Sequence, residues 1–194
     1  MCGRYYIEIS DATLREICEE VLRKQQGRES TAAEQLTIKF DGEVFPTDVV
    51  PVQTGSTTYQ PMQWGFTGFQ SKRPVINARS ETVLVKPMFQ YAIREHRCLI
   101  PASGYYEWRT EGARKIKYRL YDPQHPLFFA GCYRQELNSD LARFVILTRA
   151  ATDELALIHE RMPVIIPRGL ATMWLNESPY VMDEAITNLE FQPV

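Results

Sequence analysis

The sequence has few histidines, and its cysteines are scattered. Both features argue against metal sites and disulfide frameworks. Its 194 residues include 3 histidines and 4 cysteines. The cysteines lie far apart, with no Cys-x-x-Cys pair and no paired histidines nearby, so neither a zinc site nor a disulfide framework is supported. Gly-x-Gly-x-x-Gly, Gly-Lys-Ser/Thr and His-Glu-x-x-His motifs are also missing. We therefore expect no metal and no cofactor.

Long apolar runs and a large net charge are lacking as well. No stretch approaches the ~18 apolar residues of a membrane span. Glu8 and Asp11 interrupt the first segment too early for a secretion signal. A net charge of -2 argues against non-specific coating of nucleic acid, although a few arginines in a local groove can still hold phosphates. We expect a cytoplasmic protein with reduced cysteines and no membrane partner.

The apolar pattern predicts an α+β fold. The length suits one sizeable core, so we expect a single domain over residues 1–194. Short strand-like segments broken by turn residues dominate from residue 35 onwards. Such a mixture favours mainly antiparallel, curled β-sheets around one core, with several short flanking helices. Helices are predicted over about 12–25, 87–96, 152–159 and 168–175, with a further short one at the C-terminus.

Two of these helices carry specific burial predictions. In the first, helical spacing places an apolar stripe on one face, formed by Leu14, Ile17, Cys18, Val21 and Leu22. The helix over 168–175 is expected to bury Leu170, Met173 and Trp174. Prolines at 46, 51 and 61 favour edge or loop-like strands.

The first candidate for chemistry is Cys2, directly after Met1. Removal of Met1 would leave a free amine and a thiol on adjacent carbons, which together trap aldehydes. Their reference pKa values of about 8 and about 8.5 make both partly nucleophilic near neutrality. The alternative is that Cys2 is one more small residue on a mobile terminus.

Glu107 and His159 are polar residues in segments that otherwise suit a core. Strand alternation in GYYEW places Glu107 on one face with Tyr105, so its carboxyl is expected to be desolvated, with a raised pKa. His159 falls at the end of a short helix before Pro163. The plainer alternatives are a carboxylate paired with Arg109 or Arg119, and a histidine that caps helix carbonyls.

A third polar run, Asn77-Ala78-Arg79-Ser80-Glu81, follows an apolar segment. Asn77 offers both a donor and an acceptor, and Arg79 points the same way if the run is extended. A turn also explains this composition.

Eight blocks in order resemble the SOS response-associated peptidase (SRAP) family. They are MCGR at 1–4, FPT at 45–47, WGF at 64–66, NARSET at 77–82, KPMF at 86–89, RCLIPASGYYEW at 97–108, FFAGCY at 128–133 and HERMPVII at 159–166. The chain departs from the family pattern in GFTGFQ after Trp64, where a proline and a second tryptophan are usual, and at Glu160, where aspartate is commoner.

The resemblance implies a function and a set of site residues. Family members sense abasic sites in single-stranded DNA and crosslink to them through the residue that matches Cys2. Asn77, Glu107 and His159 fall on active-site positions. Phosphate-binding positions fall on Arg4, Arg79 and Arg161. We expect Pro46, Trp64 and Trp108 to stack on or wedge apart the flanking bases. The protein is expected to be monomeric and associated with the nucleoid when bound to DNA.

The chemistry also follows from the groups themselves. An abasic sugar in its open form carries an aldehyde at C1′. An amine alone gives an imine that invites strand cleavage, whereas an aminothiol closes it into a thiazolidine ring, which shields the strand.

Two other functions remain open from the sequence. Glutamine amidotransferases that use an N-terminal cysteine also begin with Met-Cys-Gly, so an amidohydrolase is possible. A non-catalytic module that binds single-stranded DNA is the other.

Overall fold

Strands dominate the fold, as the alternating segments predict. The computed structural model describes residues 2–26, 37–68, 73–137 and 139–194, with the side chains of 25 and 26 left aside. Its strands are β1 (Arg4–Ile7), β2 (Gly42–Val44), β3 (Val49–Gln53), β4 (Tyr59–Trp64), β5 (Asn77–Arg79), β6 (Arg97–Ala102), β7 (Gly104–Glu111), β8 (Arg114–Tyr121), β9 (Leu127–Gln135), β10 (Ala142–Ala150), β11 (Arg161–Pro163) and β12 (Glu190–Pro193). Its α-helices are α1 (Ala12–Gln26), α2 (Gln90–Glu95), α3 (Asp153–Ala156) and α4 (Ala171–Asn176), accompanied by 3-10 helices at Arg168–Leu170 and Pro179–Glu184.

One sheet closes on itself into a small barrel. Its strands pair in the order β10-β4-β3-β6-β9, and β9 pairs again with β10. Beyond β4, the short strand β5 continues alongside β10 in parallel, while β11 pairs with the end of β10 in the antiparallel direction. The pairings of β10 with β4 and β5 are parallel, and the other pairings of this sheet are antiparallel. The predicted antiparallel, curled sheet is therefore confirmed.

The second sheet is open and wholly antiparallel, in the order β12-β8-β7-β1-β2. Because side chains alternate along a strand, each strand presents one face to the core and one to the outside. Tyr5, Tyr105 and Leu120 lie on the inner face and are at most 1% exposed. The outer face carries Arg4 and Tyr106, which are direct partners in the pairing of β1 with β7.

A single apolar core joins the two sheets. Tyr5 from the open sheet makes edge-on ring contacts with Trp64 and Phe129 of the barrel, with ring centroids 5.3 and 5.8 Å apart. Tyr105 meets Phe129 in the same way at 6.1 Å. Such aromatic contacts add to the stabilisation that burial provides. Together with the flanking helices, this core confirms the α+β class.

Helix α1 forms as predicted, but its burial ends earlier than the stripe suggests. The Asp11 carboxylate caps it by accepting a hydrogen bond from the Leu14 N–H at 3.0 Å. Leu14 and Val21 are buried, as the helical spacing indicates, whereas Leu22 is 42% exposed. The prediction for Leu22 is wrong because its side chain lies at the edge of the stripe and faces solvent, whereas the neighbouring Val21 faces the core.

The other helices differ from the prediction in length and in burial. Helix α2 is confined to Gln90–Glu95, because the chain from Ser80 to Met88 is mostly in turns. In α4, Trp174 is fully buried but Met173 is 42% exposed, contrary to the prediction. The predicted C-terminal helix is only a 3-10 turn, and the chain ends instead as strand β12 beside β8. No helix in the described part of the chain is long and apolar enough to cross a membrane.

Two of the three prolines singled out lie inside the barrel sheet. Pro51 in β3 is directly opposite Pro61 in β4. Strand β3 pairs with β6 only at Gln53, and β4 pairs with β10 only from Gln63 onwards. At each proline the strand is therefore hydrogen-bonded to a neighbour on one side only. A residue without an N–H is tolerated at such positions, so the edge-like character predicted for them is local.

Candidate functional site

Cys2 lies at the junction of the two sheets, just before β1. It is fully buried, and its thiol donates to the carbonyl oxygen of Arg4 at 3.9 Å. The Asn77 side-chain N–H donates to the Cys2 carbonyl oxygen at 2.9 Å. These contacts hold Cys2 in one place and exclude the alternative of a mobile terminus for this residue. Met1 lies outside the described residues.

Asn77 is positioned by the barrel. It begins β5, where it pairs in parallel with Ile146 at the centre of β10. While its amide nitrogen holds Cys2, its Oδ1 is buried and accepts no hydrogen bond from the described residues. A buried amide oxygen costs free energy unless a donor reaches it. Asn77 thus offers an acceptor beside Cys2 to a donor on an incoming group.

Glu107 comes from β7 of the open sheet and points inward, as strand alternation predicts. It is 4% exposed, and its Oε2 lies 4.0 Å from Nε2 of His159. Burial raises the pKa of the Glu107 carboxyl, and the nearby His159 opposes part of that rise. The predicted partners Arg109 and Arg119 form ion pairs with Glu111 and Glu8 instead. Glu107 is therefore a desolvated carboxyl and not a partner of Arg109 or Arg119.

His159 lies between α3 and β11 with its ring turned toward Glu107. Its Nδ1 accepts a hydrogen bond from the backbone N–H of Arg161 at 3.0 Å. A neutral imidazole that accepts at Nδ1 carries its proton on Nε2, the atom that faces the carboxyl. The hydrogen bond at Nδ1 thus orients the imidazole ring. Its side chain is 27% exposed, so it can be reached from outside.

The electrostatics at Cys2 favour the neutral thiol. Burial raises the pKa of the Cys2 thiol well above its ordinary value, and the negative charge of Glu107 adds to the rise. Tyr5 and Tyr105, the aromatic neighbours on the inner face, also have phenol pKa values raised by burial and then by Cys2. A proton on Sγ must therefore be taken up by a nearby base before the sulfur attacks.

Arg161, which the family resemblance places on a phosphate-binding position, is already paired within the protein. Both of its terminal nitrogens donate to the Glu81 carboxylate, at 2.5 and 2.9 Å, and Nη2 also donates to the Thr148 carbonyl at 2.6 Å. Its side chain is only 12% exposed. The hydrogen bonds from Arg161 lower the pKa of Glu81 to about 2. A phosphate contact at Arg161 conflicts with this geometry, since the guanidinium is nearly buried and both of its terminal nitrogens already bind Glu81.

Arg79 and Arg4 lie at the surface, where the Arg4 Nη1 also donates to the Glu43 carboxylate at 3.1 Å. Arg79 closes β5 beside Thr148 and is exposed. Arg4 is 38% exposed, with its guanidinium 4.4 Å from the Phe45 ring centroid and 5.3 Å from that of Trp108. Trp108 and Pro46 are half-buried beside this surface. The predicted DNA contacts at Arg4, Arg79, Pro46 and Trp108 are compatible with these positions.

Trp64 is the clearest correction among the predicted DNA contacts. Its ring is fully buried, stacked on Phe144 with a 6.4 Å centroid separation, and its Nε1–H donates to the Ile76 carbonyl at 3.0 Å. No face is left on which a base can stack. Its backbone carbonyl accepts from Thr47, which sits at φ +76°, in the left-handed region. Trp64 therefore anchors the turn that carries Phe45 and Pro46, and it does not touch a ligand.

The structure brings three of the predicted residues to one point around Cys2. Asn77 contacts it directly, while Glu107, whose charge acts on the Cys2 thiol, lies 4.0 Å from His159. Two residues at this site escaped the sequence analysis as functional candidates, namely Glu81 and Thr148, which together hold Arg161. Glu81 is within the NARSET block, but its partner is 80 positions away and no local pattern reveals it. The described residues contain no group of three or more His, Cys, Asp or Glu side chains that could hold a metal ion.

A family model described as SOS response associated peptidase (SRAP) matches residues 1–193. The abasic site processing protein YedK of Escherichia coli is 33% identical over 121 residues, which is 60% of this chain and 54% of that protein. The abasic site processing protein YoaM of Bacillus subtilis is 37% identical over 107 residues, 53% of this chain and 47% of that protein. The chain therefore covers about half the length of these two relatives. The abasic site processing protein HMCES of Gallus gallus is 26% identical over the whole chain and 73% of its own length.

Solved structures show the same fold. A crystal structure of a protein from Bacteroides thetaiotaomicron aligns with a TM-score of 0.75 at 24% identity, over 100% of this chain and 92% of that one. A phage-related protein from Bordetella bronchiseptica aligns with a TM-score of 0.72 at 23% identity, over 100% of this chain and 94% of that one.

Proposed function

Because the chain belongs to the SOS response associated peptidase (SRAP) family, we propose that it processes abasic sites in single-stranded DNA by crosslinking to them. The crosslink is a thiazolidine between Cys2, freed of Met1, and the ring-opened sugar. The observation that carries this function is the position of Cys2, which is held by Asn77 and lies beside the pair of Glu107 and His159. A nucleophile, an orienting group and a proton carrier then meet at one point.

Loss of Met1 comes first. Hydrolysis of the bond between Met1 and Cys2 consumes a water, releases methionine and leaves the Cys2 amine free. We propose that the protein performs this step itself, since Glu107 and His159 are groups suited to activating the water. Until it occurs, the aminothiol does not exist.

Capture then proceeds in two bond-forming steps. The Cys2 amine adds to C1′ of the sugar aldehyde, and loss of one water gives an imine. Sulfur next adds to the same carbon, its proton leaves for a base, and the nitrogen takes up a proton. Nitrogen, Cα, Cβ, sulfur and C1′ now form a five-membered ring. Because the second step is intramolecular, it proceeds at a high effective concentration and removes the imine before strand cleavage can occur.

Glu107 and His159 divide the proton transfers. The raised pKa of the buried Glu107 carboxyl suits it to accept the proton from nitrogen or sulfur. His159 carries its proton on Nε2, on the side of Glu107, where it can serve the departing oxygen. Since burial keeps the Cys2 thiol protonated, the amine reacts first and the sulfur follows.

Asn77 and the surface arginines position the DNA. The Oδ1 of Asn77 is free to accept a hydrogen bond from a sugar hydroxyl while the amide nitrogen holds Cys2. Arg79 and Arg4 bind backbone phosphates without reading sequence. Trp108 and Pro46 contact the flanking bases. We further propose that the protein acts as a monomer in the cytoplasm and joins the nucleoid when bound to DNA.

The test is a denaturing gel of Met1-free protein mixed with a single-stranded oligonucleotide that carries one abasic site. We expect a shifted band with this oligonucleotide and none with an intact one of the same sequence. Cys2→Ala should abolish the band, while the matched change Cys18→Ala, a cysteine on α1, should leave it. Absence of a band from the Met1-free protein would overturn the function.

Both rival functions predict no adduct on this gel, and two further measurements tell them apart. An amidohydrolase would release ammonia from glutamine in a manner that depends on Cys2, with no DNA adduct. A non-catalytic DNA-binding module would bind intact and abasic strands equally, again with no adduct.

A further inference from the structure

The outer face of the open sheet holds cations over aromatic rings next to the site. Lys117 on β8 places its Nζ 3.8 Å from the Tyr106 ring centroid and 5.8 Å from that of Trp108. Trp108 also lies under Arg4, with 5.3 Å between the guanidinium and the ring centroid. Lys117 and Trp108 are direct partners in the pairing of β7 with β8. Strand register builds this arrangement, and the Trp108 ring is the one that Arg4 and Lys117 share.

Glu43 on β2 neutralises both cations. Lys117 Nζ donates to the two carboxylate oxygens of Glu43, at 3.0 and 3.1 Å, and Arg4 Nη1 donates to Oε1 at 3.1 Å. The three side chains are 26 to 38% exposed, so a ligand from solution can reach them. A carboxylate that accepts from two cations occupies the place that a phosphate group would take.

We propose that Lys117, Tyr106 and Trp108 form a second contact for single-stranded DNA, which takes a backbone phosphate and a base of a nucleotide flanking the captured one. Glu43 is the internal counterion that this phosphate displaces. The proposal rests on the proposed function for its ligand, because it extends the same strand beyond Arg4. Lys117 lies two strands away from Arg4, a distance of about 10 Å at ordinary strand spacing.

Continuity with the site and charge decide the occupant. Arg4 follows Cys2 by two residues, so a strand held at Cys2 passes this face as it leaves. Aromatic rings combined with cations are what single-stranded nucleic acid binds, through base stacking and phosphate attraction. Because the phosphate must displace Glu43, the affinity of this contact for DNA is lower than the two cations alone would give. Removal of the Glu43 charge is therefore expected to strengthen DNA binding.

The test measures binding of an intact single-stranded oligonucleotide as a function of salt. Lys117→Ala should weaken binding and lower the slope of log affinity against log salt by about 0.7, the loss of one phosphate contact. Lys117→Arg should restore the slope. The matched control is Lys115→Ala, which removes the same charge on β8 opposite Thr110, nearer the hairpin end. Its slope should remain that of the unaltered protein.

Glu43→Gln gives a change of opposite sign, which a purely structural ion pair does not. We expect tighter binding and a slope that is at least as steep, with thermal unfolding followed in parallel to establish that the variant is folded. Equal slopes for Lys117→Ala and Lys115→Ala would overturn the second contact, as would weaker binding by folded Glu43→Gln.

Capture separates this inference from the proposed function. If the unaltered protein forms no adduct, the proposed function fails, whereas the slopes on intact DNA still decide the second contact.

Discussion

Asn77 donates a hydrogen bond from its side-chain nitrogen to the carbonyl oxygen of Cys2 at 2.9 Å, across 75 positions of sequence. The contact ties the reacting residue to the barrel, because Asn77 is itself paired with the centre of β10. Cys2 thereby takes its place from the tertiary fold, through a partner on the barrel.

Asn77→Ala is expected to slow capture without abolishing it. Removal of one hydrogen bond costs about 1 kcal/mol, which corresponds to about a fivefold lower rate when it positions the nucleophile. The measurement is the single-turnover rate of adduct formation on an abasic oligonucleotide. Asn176→Ala, at the exposed end of α4, is the control and should react at the unaltered rate. Equal capture rates for the two variants would show that Asn77 does not position Cys2 for the reaction.

Glu107→Gln should change the pH dependence of capture. Burial raises the pKa of Glu107, and a base works only when deprotonated, so its contribution is lost as the pH falls through a value above the ordinary 4.3 or so. The ratio of the unaltered to the variant rate isolates this carboxyl, since the Cys2 amine titrates in both proteins. We expect the ratio to fall toward acid pH. A ratio that is constant with pH would exclude Glu107 as the base, and Glu111→Gln, further along β7, serves as the control.

His159→Ala should lower the capture rate by about a hundredfold, the usual contribution of one acid–base group. Loss of the ring removes the Nε2 proton that faces Glu107. His125→Ala makes the same change in a loop, where the side chain is 73% exposed, and should have no effect. If the two histidine variants capture equally fast, His159 has no part in the proton transfers.

The pair of Glu81 and Arg161 predicts a pH-dependent stability. The pKa of Glu81 is lowered to about 2, so its stabilising contribution is present above the unfolded-state pKa of about 4.3 and is lost as the pH falls from there. Because the Glu81 side chain is 48% exposed, solvent screening limits the effect of Glu81→Gln to about 1 kcal/mol at neutral pH.

Denaturant unfolding at neutral and at acid pH measures this difference. The difference in unfolding free energy should shrink as the pH falls below about 4 and disappear only below the folded-state pKa of about 2. A constant difference across that range would mean that the charge of Glu81 is not what stabilises the pair.

Strand alternation is what made much of the fold and the centre of the site predictable. Glu107 shares a face with Tyr105, and both are buried as that pattern predicts. The error at Trp64 was also within reach of the same rule, because Met62 and Trp64 are two apart on β4 and both are fully buried. An aromatic motif in isolation does not say whether the ring faces a ligand or the core.

The remaining differences arise from contacts between distant segments. Arg161 is held by Glu81, and the strand β12 forms because β8 offers it an edge. Lys117 meets Glu43 across 74 positions. Neither periodicity nor local propensity contains such pairings, so the sequence could place these residues on elements but could not name their partners.

The most direct measurement of the central claim is the mass of the adduct between Met1-free protein and an abasic oligonucleotide, before and after treatment with iodoacetamide and with borohydride. A thiazolidine has the summed mass of the two reactants less one water, has no free thiol at Cys2 for iodoacetamide to label, and has no imine for borohydride to reduce. We expect no iodoacetamide label on Cys2 and no gain of two hydrogens after borohydride. An adduct whose Cys2 thiol is labelled, or which gains two hydrogens from borohydride, would contradict the joint reaction of amine and sulfur.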